Sequence, residues 1–123
     1  RTLLIKGRKF EISEFYDGIA KFDFINLCGA NVGSEDYIKI AENCKFIVIV
    51  NIPNFNDLNS NLQQRFITLI DILYEKKIPL MISIDSNLEN VNSSVKLVKP
   101  FKRTLSRLFE LTSPKNNYLN KVV

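Results

Sequence analysis

Histidine is absent from the 123 residues of this chain, and that one gap removes several kinds of chemistry. No Ser-His-Asp or Cys-His catalytic set, no imidazole metal ligand and no imidazole pH switch is available. Any reaction must run on carboxylates, Lys and Arg, Tyr, hydroxyls or thiols. Cysteine is scarce: Cys28 and Cys44 are too few for a disulfide framework and lack C-x-x-C spacing. Both stand among apolar neighbours, which points to buried reduced thiols in a reducing compartment. Long apolar runs are missing as well. The longest, residues 46–50, has five residues, against the about 20 that span a bilayer. No signal-peptide pattern opens the chain. It begins at Arg1 rather than Met, and the expectation is a segment of a longer protein.

What is present suits one soluble domain, with 46% hydrophobic and 24% charged residues. A chain of this size buries roughly two thirds of its unfolded surface. The net charge of +4 is uneven. Residues 86–123 hold seven bases and two acids, whereas residues 1–85 hold ten bases and eleven acids. A basic last third fits either an anionic partner or a solvated basic helix.

The pattern predicts a hairpin over residues 2–12 around Gly7, then a strand over 19–28. A loop through Gly29 and Gly33 leads to Ser34 as N-cap of a helix with Glu35 and Asp36 in its first turn. The buried face of that helix is Tyr37, Ile40, Ala41 and Cys44. Residues 46–50 read as a central parallel strand, apolar on both faces. A helix over 62–76 follows, with Phe66, Leu69, Ile70 and Leu73 as its stripe, then a buried strand over 78–84. Residues 85–100 read as a mobile loop and 101–111 as a last helix. The fold class is therefore α/β, a mainly parallel sheet flanked by helices with an N-terminal β-hairpin. Residues 1–123 form a single domain.

Ligands of open parallel sheets bind beyond the carboxyl ends of the strands, expected here at Cys28-Gly29, Asn51 to Pro53 and Asp85-Ser86. The loop after Cys28 has two glycines but no P-loop lysine, and acids follow it where a phosphate wants bare N–H groups and a cation. Asp23, Asp71 and Asp85 have no metal-site spacing, and no metal is expected. On the last helix Arg103, Ser106, Arg107 and Glu110 form one polar stripe, opposite Phe101, Leu105, Leu108 and Thr112. Two guanidiniums and a hydroxyl there suit a phosphate or a partner's carboxylate. An Arg107–Glu110 surface pair of small consequence explains the same spacing. Arg65, taken alone, reads as solvent-facing.

Five ordered stretches resemble a known family. Residues 22–28 match F-x-F-x-x-L-C, Asp36-Tyr37 match D-Y, and Ile52-Pro53 follow. Residues 64–74 match R-R-F-I-x-L-I-D-x-L-Y and residues 103–111 match R-x-x-S-R-L-x-E-M. Gln64 and Leu111 depart from the pattern, the first weakening any role for an arginine pair there. The whole is similar to the C-terminal portion of the AFG-like, ZapE-type P-loop ATPases, relatives of the AAA+ enzymes.

That resemblance implies a P-loop-NTPase-like fold without a phosphate loop, the Walker A and B motifs lying upstream in a longer parent. The parent would use ATP and Mg2+; this segment alone would bind no cofactor and be inactive. Arg65, Arg103 and Arg107 match family arginines and become auxiliary catalytic candidates, with Ser106 and Arg107 as nucleotide-contacting candidates. Implied partners are the N-terminal ATPase half, further subunits of a homo-oligomer, and division-ring or membrane-protein clients. The alternative is a non-catalytic module that docks such clients. Nucleic acid is disfavoured, since the exposed aromatic interleaving of single-strand binders is missing. Implied locations are the cytoplasm, peripheral to the inner membrane, or the mitochondrial matrix in a eukaryote.

Overall fold

The N-terminal hairpin is formed by β1 (Thr2–Ile5) and β2 (Arg8–Glu11), antiparallel and a two-stranded sheet of their own. Gly7 turns between them at φ 77°, a left-handed conformation that favours glycine. The computed structural model describes residues 1–5, 7–29, 32–84 and 92–113. Asp85, Ser86 and the bases Lys115 and Lys121 lie outside the described residues.

A strand the sequence pattern does not reveal comes next. β3 (Glu14–Tyr16) pairs antiparallel with β4 (Ile19–Asp23). Asp17 and Gly18 both have positive φ, the two-residue turn whose twist matches a hairpin. Three residues are too few to show a period. The expected strand over 19–28 is also shorter than read, because Asp23 ends it. The Asp23 carboxylate accepts the Ile25 N–H at 3.3 Å and caps a five-residue helix, α1 (Phe24–Cys28). Cys28-Gly29 therefore stands one helix beyond the sheet instead of at its carboxyl edge.

The remaining elements are α2 (Ser34–Asn43), β5 (Phe46–Ile52), α3 (Ser60–Glu75), β6 (Leu80–Ile84) and α4 (Val98–Thr112). Ser34 is the first helical residue of α2 and Gly33 holds the cap position. In α4, Pro100 sits in the first turn, where its missing N–H costs nothing. The expected loop to residue 100 thus gives way to a 3₁₀ turn at Val95–Leu97 and helix from Val98.

The second sheet has the order β3-β4-β5-β6, with β4–β5 and β5–β6 parallel. β5 is central, as its two apolar faces predict. β6 is not the buried strand expected but, among the described residues, an edge strand, with Met81 and Ser83 exposed. Both parallel crossovers step the same way across the sheet, and right-handed crossovers then put their helices on one face. Ala20, Phe22, Ile47, Ile49 and Leu80 on that face join Tyr37 and Ile40 of α2, Phe66 and Leu73 of α3 and Leu108 of α4 in one core. Phe55 is its hinge, packing its ring 5.7 Å from Phe24, 5.7 Å from Phe66 and 5.5 Å from Phe101. Each such buried ring contributes about 1.5–3 kcal/mol, so α1, α3 and α4 are tied at one point.

Candidate functional site

Helix α3 carries the candidate side chains on two flanks. Arg65 and Asp71 are six residues apart, about 240° around the helix axis at 3.6 residues per turn. One therefore faces α1 and the other faces α4. The three family arginines do not converge on one site.

On the α4 flank, Arg107 Nη1 donates to Asp71 Oδ1, and its guanidinium lies 4.7 Å from the centroid of the Tyr74 ring. Tyr74 in turn is hydrogen-bonded to Glu110, which raises the phenol's pKa. Arg103 approaches the second Asp71 oxygen only loosely, at 3.9 Å. The exposures separate the two bases: the Arg107 side chain is 27% exposed, that of Arg103 58%. Arg107 is thus held by a charged hydrogen bond and a ring face, a pairing worth more than an open surface contact. Arg103 keeps most of its donors in water. Both line a groove of ≈ 550 Å³ with Asp71, Tyr74, Glu75 and Lys77. Ser106 is exposed on the same helix and does not line it. The anticipated Arg107–Glu110 surface pair is replaced by the longer-range Arg107–Asp71 pair.

On the other flank Arg65 is half-buried, not solvent-facing. Its Nη1 donates to the Cys28 carbonyl at 3.3 Å, putting positive charge at the carboxyl end of α1, where carbonyls lack partners. The Cys28 thiol is fully buried and free. Burial pushes its pKa up to about 12, against a weaker opposing pull from the Tyr37 hydroxyl and Arg65. Tyr37 is buried too, its hydroxyl donating to the Leu27 carbonyl at 2.5 Å. Cys44 is likewise free and buried, its thiol raised to about 11 by desolvation. Both are inert as nucleophiles at neutral pH, because the thiolate is the reactive form.

The loop after Cys28 does not fit a nucleotide phosphate. Asp36 is buried, its Oδ2 accepting the Gly33 N–H at 2.7 Å and its Oδ1 bound by Arg8. A carboxylate already occupies the start of α2, where a phosphate would have to sit. Nothing else in that loop supplies a cation. At the true carboxyl edge of the sheet, Asn51 adopts φ 62° beside a register shift in β5. Its side-chain amide donates to Asp23 Oδ2 at 2.7 Å, and its N–H donates to Ser83 Oγ at 3.1 Å. These contacts join three parallel strand ends and leave Asp23 as cap and brace. Asp71 and Asp23 have different partners on different elements, and among the described residues no three His, Cys, Asp or Glu side chains gather around a metal position.

Sequence reasoning missed the residues that hold the arginines. Asp71 and Tyr74 lie three apart on one face of α3, within the matched stretch, and that spacing was their available signal. Gln63 gave no signal. Fully buried, it donates to Ser93 Oγ at 2.7 Å and accepts the Ser94 N–H at 3.0 Å, tying the segment before α4 to α3.

Fold and site together define an α/β domain with a mixed, mostly parallel sheet, buried thiols and arginines on two helix flanks, without a phosphate cradle among the described residues. The profile of the AFG1-like ATPase family matches residues 1–122, and the chain belongs to that family. It is 30% identical over 112 residues to the cell division protein ZapE of Escherichia coli, an alignment that covers 91% of this chain and 30% of that protein. It is 31% identical over 91 residues to lactation elevated protein 1 homolog B of Danio rerio, covering 74% of this chain and 18% of that protein. The chain thus spans less than a third of the length of these relatives. No solved structure matches. No described helix is long and apolar enough to cross a membrane.

Proposed function

We propose that this chain is one domain of a ZapE-like, cell-division-associated ATPase of the cytoplasm. In this reading it offers arginines and packing contacts to ATP hydrolysis, with Mg2+, carried out by the rest of the polypeptide. The observation that carries the reading is the family match along residues 1–122, in a chain whose one candidate loop already holds a carboxylate. The geometry ranks the arginines. Arg103 is the exposed and loosely paired one, with Ser106 one turn on, and suits a nucleotide phosphate or a neighbouring subunit. Arg65 has one long bond to a carbonyl and is the second donor. Arg107 acts chiefly by holding α4 on α3, which positions Arg103.

The test uses the full-length protein with Arg65, Arg103 and Arg107 changed singly to Ala, measuring ATP turnover and ATP affinity. A full arginine finger is worth about 10³–10⁵ in kcat, so an auxiliary arginine is expected to cost about tenfold or more. Arg103→Ala should show it with unchanged thermal stability. Unchanged turnover in all three folded variants rejects the auxiliary role and leaves the docking module in its place.

A further inference from the structure

The four-stranded sheet is covered on one face only among the described residues. Along β5, Ile47 and Ile49 enter the core, while Phe46, Val48 and Val50 fall on the other face, Phe46 buried among its neighbours and the two valines half-buried. The strand register puts Ile19, Lys21 and Asp23 of β4 and Met81 of β6 on that same face. Its centre is apolar. Met81 is 53% exposed and Ile19 44%. Its border is charged, with Lys21–Glu14 and Lys45–Asp17 pairs at 3.9 and 3.8 Å. A parallel strand apolar on both sides belongs where both faces are covered, and an apolar centre inside a polar rim is the anatomy of an interface.

We propose that this open face is a docking surface for the remainder of the longer polypeptide in which relatives carry this region. The proposal rests on the reading of the chain as one domain of a larger ATPase. The occupant is argued from chain length: the aligned region is 30% of the Escherichia coli protein and 18% of the Danio rerio protein. Most of each such polypeptide is tethered chain, and tethering gives a neighbouring segment an effective concentration of about millimolar. A free second copy has no such advantage. Domain interfaces within a chain have this mixture of apolar centre and polar border.

The experiment introduces Met81→Cys into the full-length protein and follows maleimide labelling, with the buried Cys28 and Cys44 as a slow background. Docking slows the new thiol by about tenfold or more relative to a cysteine peptide, as a closed interface does. Adding Val48→Asp, whose position pairs with Met81 in the register, restores fast labelling. Ile19→Asp on β4 replaces it if that variant does not fold. Labelling at the peptide rate overturns the proposal. So does protection that appears only as protein concentration rises and a dimer forms, which assigns the face to a second copy. The readout is separate from turnover. Fast labelling alongside arginine variants that lose activity removes the docking surface and keeps the ATPase reading.

Discussion

The two flanks of α3 hold their arginines in opposite ways. On the α1 side, Arg65 meets a neutral carbonyl at 3.3 Å. On the α4 side, Arg107 meets a carboxylate and a tyrosine ring. Both match arginines of one family pattern, yet one is lightly engaged and the other largely consumed. How much of a guanidinium is left for a partner is set by what the neighbouring helix presents to it. Residue type alone does not say.

The sharpest test of that contrast is stability. Arg107→Ala removes a charge-assisted bond to Asp71 and the contact with the Tyr74 ring, and is expected to cost about 2 kcal/mol. Arg65→Ala loses one hydrogen bond to a neutral acceptor and should cost at most about 1 kcal/mol. Urea unfolding of both variants reads the difference directly. Equal losses would break the contrast between the flanks.

The next effect is smaller and belongs to the Arg65 flank. The Cys28 thiol has its pKa raised from 9.0 to about 12 by burial. Below pH 9 neither folded nor unfolded thiol ionises, and the contribution is whole. Above it the unfolded thiol loses its proton while the folded one keeps it, so stability falls as pH rises toward 12. At pH 10 the loss is about 1.4 kcal/mol from this thiol. Urea midpoints between pH 8 and pH 10 should fall less steeply in Cys28→Ala. A matching slope in that variant places the pH dependence elsewhere.

The smallest expected effect concerns Arg103. At 3.9 Å from Asp71 and mostly exposed, it should couple to that carboxylate by no more than about 0.5 kcal/mol in a double-mutant cycle. A coupling near 2 kcal/mol would mean that Arg103 is spent as Arg107 is, and unfit to meet an anion.

Much of the fold was legible because burial writes periods into sequence. The central strand announced itself through Phe46 to Val50, and α3 through Phe66, Leu69, Ile70 and Leu73, the four α3 residues all buried. Where elements were short or at an edge, the period failed. β3 has three residues and α1 five, and Phe24 to Cys28 reads as strand until Asp23 is seen capping a helix. β6 is apolar enough for a buried strand, but among the described residues no strand flanks its outer side.

The candidate site was legible only as residue types. Sequence by itself determined the lack of imidazole chemistry, the lack of a phosphate-loop lysine, the α/β order and the ordered motifs that place the chain in its family. Those properties depend on which residues are present and on local spacing. Tertiary structure decided that Arg65 and Arg107 stand on different flanks, that Asp71 holds one of them, and that the described helices cover one face of the sheet. Pairings such as Asp71–Arg107 join residues 36 apart in sequence. Their energy comes from the packing of α3 against α4, and no local pattern encodes it.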